Sequence, residues 1–483
     1  MTQTKPRSVS LTFTLPLFCV CLYLMMASVW MPGIAARLYD EARYVELGML
    51  ALLLVQLLRP AISETLAGSW LRLSALHRYL ILILVAGGAV SAFVSPFIKL
   101  GLLEIGLVTQ LIFLFGFVAC AVREGRARAE AVLAISICAG VALCGLKFWV
   151  VYTLYAFEGK TFSWVAPFLE FANVRFFSQF QAYTLFPAVI PLLLSSTRRV
   201  WRPFLFLVAA NAWALQWMVG TRAVWIGLLV VLVLVPLMLR RDRLSWLRWH
   251  AAALLAGLAI YVGFTYVISA HPDVTAPSPT VNSIVRQDQN SIEERTALAQ
   301  AALKSIREHP ALGVGPGQFG LQPYWPFAAH PHNTPLQLLS EYGVIAGSAG
   351  IGSGLLLVVF ALRTLRSRFP GATDPIGATL VAALLMGTTD AMFSGNLIMP
   401  QSQVLFFVVA GWIVGRTPAS ESITPPETAS YRTPRFALVS VGLLAVGVTT
   451  ILALEYLPLA RDIPAWLTPW NPHFWQYGRF NTW

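Results

Sequence analysis

The sequence predicts an all-α polytopic membrane protein, with about 12–13 transmembrane helices and one large outward loop that holds an amphipathic helix. Three observations predict it. Of 483 residues, 57% are hydrophobic and 12% charged, and the mean hydropathy is +0.67; a soluble domain carries about 25% charged residues. The apolar residues form long runs, near the roughly 20 residues that one helix needs to cross a bilayer. The short alternating segments of a transmembrane β-barrel are absent.

The runs fall at 11–31, 41–58, 79–97, 100–121, 130–154, 178–195, 203–219, 223–239, 249–269, 335–362, 375–394, 401–415 and 436–457. The first is longer than the apolar core of a removable signal peptide, about 7–15 residues, so it is expected to remain as a span. The shortest runs flank Gly220 and Asn396. Basic residues alternate between loops. One set holds Lys5 and Arg7, then Arg59, Arg72 and Arg78, then Arg123, Arg126 and Arg128, then Arg198, Arg199 and Arg202. It continues with Arg240, Arg241, Arg243 and Arg248, with Arg363, Arg366 and Arg368, and with Arg416, Arg432 and Arg435. The intervening loops hold fewer: Arg37 and Arg43, Lys99, Lys160 and Arg175, Arg222, four between Arg286 and Arg307, and Arg461 and Arg479. The richer set is expected to be cytoplasmic, together with the N-terminus. The net charge of +12 is then a matter of orientation, and no nucleic-acid partner is expected. Cys19, Cys21, Cys120, Cys138 and Cys144 all lie in apolar runs, where thiols pack as small hydrophobes.

Six regions follow from this reading. Residues 1–269 hold the first membrane helices and an outward loop at 155–177. Residues 270–335 form the polar outward loop, and 336–416 further membrane helices. Residues 417–434, rich in Ser, Thr, Pro and Glu, read as a cytoplasmic linker. Residues 435–458 form the last span and 459–483 an outward aromatic tail. Within the polar loop, Ser291 and Glu294 make an S-x-x-E capping box. Ile292, Leu298, Leu303 and Ile306 then mark an apolar face over 291–308, ended by His309 and Pro310.

Chemistry concentrates on the outward side. Arg222 sits in a GTRA turn. It reads either as a snorkelling interface arginine or as an anion site, for which the planar guanidinium fork is suited. Arg295 lies early in the amphipathic helix, where orphan N–H groups favour anions, or it is a solvated helix-face residue. Arg175 opens the run at 178–195 and fits headgroup contact or a site equally. His330, Pro331, His332 and Asn333 form an HPHN sequence just before a span. His332 reads as a structural histidine or as a general base, its ordinary pKa of about 6.5 suiting proton abstraction; Asn333 is placed to cap the next helix. A metal shared by His330 and His332 is not expected, because no carboxylate adjoins them. Lys147, Glu104 and Lys99 are charges within or beside spans and are expected to pair as a brace. Asp390 and Asn396, at an outer helix end, are candidate acceptors facing the same cavity.

In order, the GTRA turn, the string RTALAQAALKSIREHPALGVGPGQF (Arg295 to Phe319) and HPHNTPLQLLSEYGVIAG (His330 to Gly347) resemble the O-antigen ligase superfamily. That group comprises lipopolysaccharide O-antigen ligases, O-antigen polymerases and protein O-oligosaccharyltransferases. The motif-bearing part covers about residues 170–360. The resemblance implies a glycosyltransferase of the bacterial inner membrane, with its active site in the periplasmic loop and its N-terminus cytoplasmic. It would move a glycan from undecaprenyl diphosphate to an acceptor hydroxyl, lipid A-core being the acceptor favoured here, without metal, cofactor or nucleotide sugar and with inversion. Carried over by motif, Arg222 and Arg295, joined by Arg175, would hold the diphosphate, and His332 beside Asn333 would be the base. Polymerase and protein-glycosylating activities are the alternatives. A transporter of lipid-linked sugars fits less well, because its charges would line several spans. The family is commonly drawn with both ends inside, whereas the runs here put the C-terminal tail outside, and that tail maps onto no family motif.

Overall fold

A computed structural model of the chain describes residues 11–26, 29, 32–160, 162–163, 166–171, 173–194, 196–239, 243–269, 289–322, 328–367, 374–417, 432–462 and 473–475. Among the described residues every regular element is helical. The helices are α1 (Thr14–Met26), α2 (Leu38–Val55), α3 (Pro60–Arg72), α4 (Ala75–Val94), α5 (Ile98–Glu124), α6 (Arg126–Phe157), α7 (Val174–Thr184) and α8 (Ile190–Leu193). They continue as α9 (Arg202–Val219), α10 (Arg222–Leu239), α11 (Arg243–Ser269), α12 (Gln289–Glu308), α13 (Thr334–Ser367), α14 (Pro375–Ala391), α15 (Pro400–Arg416) and α16 (Arg432–Arg461).

Each predicted apolar run falls on one or more of these helices, but the span count changes. Among the described residues seven helices are individually long and apolar enough to cross a membrane, or up to nine when each bent pair is one span. The difference lies in four runs, whose helices α1, α9, α14 and α15 are 13, 18, 17 and 17 residues long and are not among the nine; proline bends the two pairs. Proline has no N–H to donate and disfavours helix in the residue before it. At Arg59–Pro60 the chain turns by 98° between α2 and α3; near Pro187 it bends by 52° between α7 and α8. Two further apolar helices, α1 and α14, are shorter than a full span.

The bundle is built around α5, whose span is 78% buried, against 17% for α4 at the rim. Helix α5 packs on α4, α15 and α16, while α9 lies on α11 and α10 on α14. Four of the five cysteines are buried and all five are free thiols. At one end Arg416 pairs with Glu130 and Asp374, Arg435 with Glu64, and Arg123 bonds Ser69. The expected brace among Lys147, Glu104 and Lys99 does not form. Lys147 pairs with Glu170, Lys99 with Glu455, and Glu104 faces His473. Sequence proximity misled here, because each charge takes the opposite charge that packing brings to its depth.

The other end holds α12 and the loop after it. Helix α12 starts at Gln289, so Ser291 lies inside its first turn and not at its cap. Its inward face is Leu298, Ala301, Ala302 and Ser305, spaced i, i+3, i+4 and i+7 as one helix face requires. Leu303, expected on that face, is 44% exposed; it sits about 100° around from Ala302. The side chain of Ile292 and the 417–434 linker beyond Thr417, up to Arg432, lie outside the described residues.

Helix α13 is broken at Gly343, where φ is +75°. The loop after α12 fills the break: Val314 N donates to Ser340 O at 2.9 Å, Gly315 N to Glu341 O at 3.0 Å, and Val344 N to Pro310 O at 2.8 Å. The backbone groups freed by the break thus find partners, as buried ones must. Gly313, at φ +71°, backs onto Glu341 and Gly343 so closely that a Cβ there would meet Glu341 C at 2.4 Å.

Candidate active site

Arg175, Arg222, His332 and Asn333 sit at the N-terminal ends of helices, whereas Arg295, expected among orphan N–H groups, is the seventh residue of α12 and lies beyond them, because the helix starts at Gln289. Arg175 is in the first turn of α7, which Asn173 caps by accepting from Arg175 N at 2.9 Å. Arg222 begins α10. The two are tied through Ser178, one turn beyond Arg175, whose Oγ accepts from Thr221 N at 3.0 Å. Gly220 ends α9 just before; a Cβ there would run into the backbone carbonyl oxygen of Gln216, so the tight GTRA turn favours glycine. His332 and Asn333 immediately precede α13. Asn333 Oδ1 accepts from Leu336 N at 2.9 Å and its Nδ2 donates to Met392 O at 2.9 Å, which caps α13 and ties it to the end of α14.

Arg175, Arg222 and Arg295 all have exposed side chains. Enough protein surrounds the Arg295 guanidinium to disfavour its charge, and the positive charges of Arg175 and Arg222 lower its pKa further, while the Asp390 carboxylate opposes them. Arg295 and Arg175 in turn act on His332. Burial first, and then those two cations, pull the His332 pKa down to about 4. At neutral pH His332 is therefore an unprotonated imidazole beside guanidinium groups. Helix N-termini add partial positive charge of the same sign. This arrangement suits a multiply charged anion on the arginines and a proton acceptor next to it.

The HPHN turn is locally strained. His332 has φ +52°, the one left-handed non-glycine among the described residues, and such backbone persists where surrounding contacts enforce it. His330 supplies one: its Nδ1 accepts from His332 N at 3.2 Å, and the rings meet edge to face with centroids 4.2 Å apart. Burial holds the His330 pKa well below the ordinary value, with the charges of His332 and His473 acting the same way. His330 packs on Gly395, where a Cβ would meet its Cε1 at 2.3 Å. Asp390 is fully buried and its Oδ2 accepts from Ser394 Oγ at 2.6 Å, so it acts on Arg295 from behind the surface. Asn396 is also buried and donates to Gly387 O at 2.7 Å. No group of three or more His, Cys, Asp or Glu side chains suited to a metal occurs among the described residues.

Three residues that order the site escaped the sequence reading. Ser178 bonds the GTRA turn. Gln318, fully buried, donates to Ser95 Oγ at 2.7 Å and Phe97 O at 2.9 Å, fastening the glycine loop to the α4–α5 turn. Glu341, also fully buried, accepts from Gly317 N at 3.2 Å and Phe319 N at 3.3 Å. The GxGxG spacing of Gly313, Gly315 and Gly317, all at positive φ, was the available sign that this loop needs outside anchors.

A multi-pass α-helical membrane protein with an arginine-rich, histidine-bearing site at one end is the class that fold and site define. The O-antigen ligase family model matches residues 204–351, from α9 into α13, in agreement with the resemblance to the O-antigen ligase superfamily. The matched stretch contains Arg222, Arg295, His330, His332 and Asn333, and leaves Arg175 and Asp390 outside it. Members of this family are glycosyltransferase-like ligases and polymerases that join a lipid-linked glycan to an acceptor. No curated protein matches the chain.

Proposed function

We propose that the protein moves a glycan from an undecaprenyl diphosphate carrier to an acceptor hydroxyl, with lipid A-core as the acceptor, at the periplasmic face of the bacterial inner membrane. The observation that carries this reading is that Arg175 and Arg222 act on Arg295, and Arg295 and Arg175 on an unprotonated His332. The arginines hold the diphosphate by charge-assisted hydrogen bonds. His332 takes the proton from the acceptor hydroxyl as its oxygen attacks the anomeric carbon. The bond from that carbon to the diphosphate oxygen breaks, and undecaprenyl diphosphate leaves with its new charge neutralised by the same arginines. Attack opposite the leaving group inverts the anomeric centre. No cofactor is needed, because a lipid diphosphate is already an activated donor. The excess of basic residues in the loops at the opposite end supports placing the site outside and the N-terminus inside.

The test is transfer from a purified undecaprenyl diphosphate-linked glycan to lipid A-core in vesicles, with chelator present and no nucleotide sugar. His332→Ala should abolish transfer and leave carrier binding intact. Full activity in His332→Ala would remove the base assignment, and loss of wild-type activity with chelator would remove the metal-free scheme. A growing O-antigen chain or a pilin-type protein accepted in place of lipid A-core would reassign the acceptor.

A further inference from the structure

The tail after the last helix holds a short segment, His473–Trp475, that is buried in the bundle and that the reaction scheme leaves unused. The three residues are 2%, 1% and 1% exposed. Trp475 stacks on Tyr456 of α16, centroids 4.1 Å apart at 18°. Arg43 of α2 donates to Phe474 O at 3.0 Å and lies over the Phe474 ring at 4.8 Å. Tyr39 Oη donates to His473 O at 2.5 Å. An interfacial aromatic belt would leave such groups at the lipid surface, and Trp475 is not placed so; Trp466, Trp470 and Trp483 lie outside the described residues.

The chemistry of the segment is in His473. Two buried carboxylates, Glu104 on α5 and Glu341 on α13, face it from either side. Its Nε2 is 3.3 Å from Glu341 Oε1 and its Nδ1 is 3.9 Å from Glu104 Oε2. Gln337 Nε2 lies 3.2 Å from the same Nε2. Uncompensated carboxylates in so dry a place would be costly. Arg43 cannot serve both, because its guanidinium pairs with Glu46 at 2.6 Å.

Glu341 in turn holds the Gly317 and Phe319 amides. Phe319 packs on Leu298, Ala301 and Ala302, one turn beyond Arg295 on α12. Glu341 and Gln337 lie on the first turns of α13, directly after His332 and Asn333. One carboxylate thus joins the helix that carries the phosphate-facing arginine to the helix that follows the base.

We propose that His473 is a positioning residue of the transfer site: as an imidazolium between Glu104 and Glu341 it holds Glu341 on the Gly317 and Phe319 amides, and so fixes Arg295 relative to His332. This rests on the transfer reading above. Among the described residues the charged and titratable groups around His473 are Tyr39, Arg43 and Glu46 from α2, Glu104 from α5, Glu341 from α13, Tyr456 from α16, and His330. Burial opposes the imidazolium, but Glu341, by charge and hydrogen bond, and Glu104 outweigh it against Arg43 and raise its pKa above the ordinary 6.5. A raised pKa means that the latch is closed at lower pH and opens as pH rises through that value.

The experiment uses the full chain in nanodiscs, with His473→Ala, which removes both charge and hydrogen bond, and His473→Gln, which keeps a donor for Glu341. Expected is a kcat lower by about 10²-fold in His473→Ala, the scale of a 1 Å misplacement, with partial recovery in His473→Gln. The wild type should show a basic limb in its pH profile that His473→Gln lacks, while the acidic limb of His332 stays. Hydrogen exchange of the peptide over 311–322, corrected for its intrinsic rate, should lose about tenfold protection in His473→Ala and, in the wild type, across that same limb. Peptides from α5 and α6 should stay protected, which separates a loosened latch from a misfolded chain. Unchanged protection at 311–322, or a basic limb that persists in His473→Gln, overturns the proposal. The exchange readout needs no turnover, so a wild type inactive in transfer would remove the function reading and still decide the latch.

Discussion

The main-chain N–H of His332 donates to Nδ1 of His330 at 3.2 Å, and that bond decides which nitrogen of His330 carries its proton. Nδ1 must accept, so the proton of neutral His330 sits on Nε2. Burial keeps His330 neutral. Its task is to hold the left-handed backbone of His332, which leaves the His332 ring beside Arg295 and Arg175. The two histidines of the HPHN turn therefore have different work, which their sequence spacing alone does not distinguish.

The pH dependence follows from this division. His332 has a depressed pKa of about 4, so the base is present above that value and is lost as pH falls through it. The acidic limb of kcat/KM, which reports the free enzyme, should lie near 4 and not near 6.5. A bound diphosphate offsets the charge of Arg295 and Arg175, so the limb of kcat should lie at higher pH. Coincident limbs at the ordinary histidine value would show that the arginine field does not reach His332 in solution.

Substitution of the arginines separates binding from tuning. Arg222→Ala and Arg295→Ala should each weaken carrier binding by roughly 10–100-fold, since a hydrogen bond to a charged group is worth about 1.5–3 kcal/mol. Arg295→Ala and Arg175→Ala should also move the His332 limb upward, because both cations depress it. Arg222→Ala should leave that limb in place. Binding isotherms with undecaprenyl diphosphate, measured beside pH profiles of transfer, distinguish the two effects.

The crossing of two glycines should be intolerant of a methyl group. A Cβ on Gly343 would meet Ala311 O at 2.3 Å, and φ is +75°. Gly343→Ala should lower stability by at least about 1–3 kcal/mol, the scale of a strained left-handed residue, and reduce transfer with it. Gly354 is the control, since a Cβ there meets nothing within 4 Å; Gly354→Ala should be neutral or stabilising. Thermal unfolding in detergent compares them, and equal midpoints for the two variants would mean that the break in α13 is not fixed by this contact.

Much of the fold was legible because lipid imposes it. A chain in a bilayer must satisfy its backbone within each segment, so every apolar run became helix whatever its neighbours. The motifs were legible for a related reason: GTRA and HPHN lie at polar helix starts, where position alone implies orphan N–H groups and anion chemistry; Arg295, seventh in α12, does not. What sequence could not give was depth and partnership. Pro187 turned a run that counts as a single span into a bent pair, and Arg59–Pro60 turned the chain by 98° just after another. Lys147, Lys99 and Glu104 found Glu170, Glu455 and His473, each across a long loop or from the other end of the chain. Glu341 looks like a lone acid in a span until the break at Gly343 brings the glycine loop onto it. Helical periodicity and hydropathy are local and survive in the sequence. Ion pairs and filled helix breaks depend on which distant segments share a depth in the bundle, and only tertiary packing decides that.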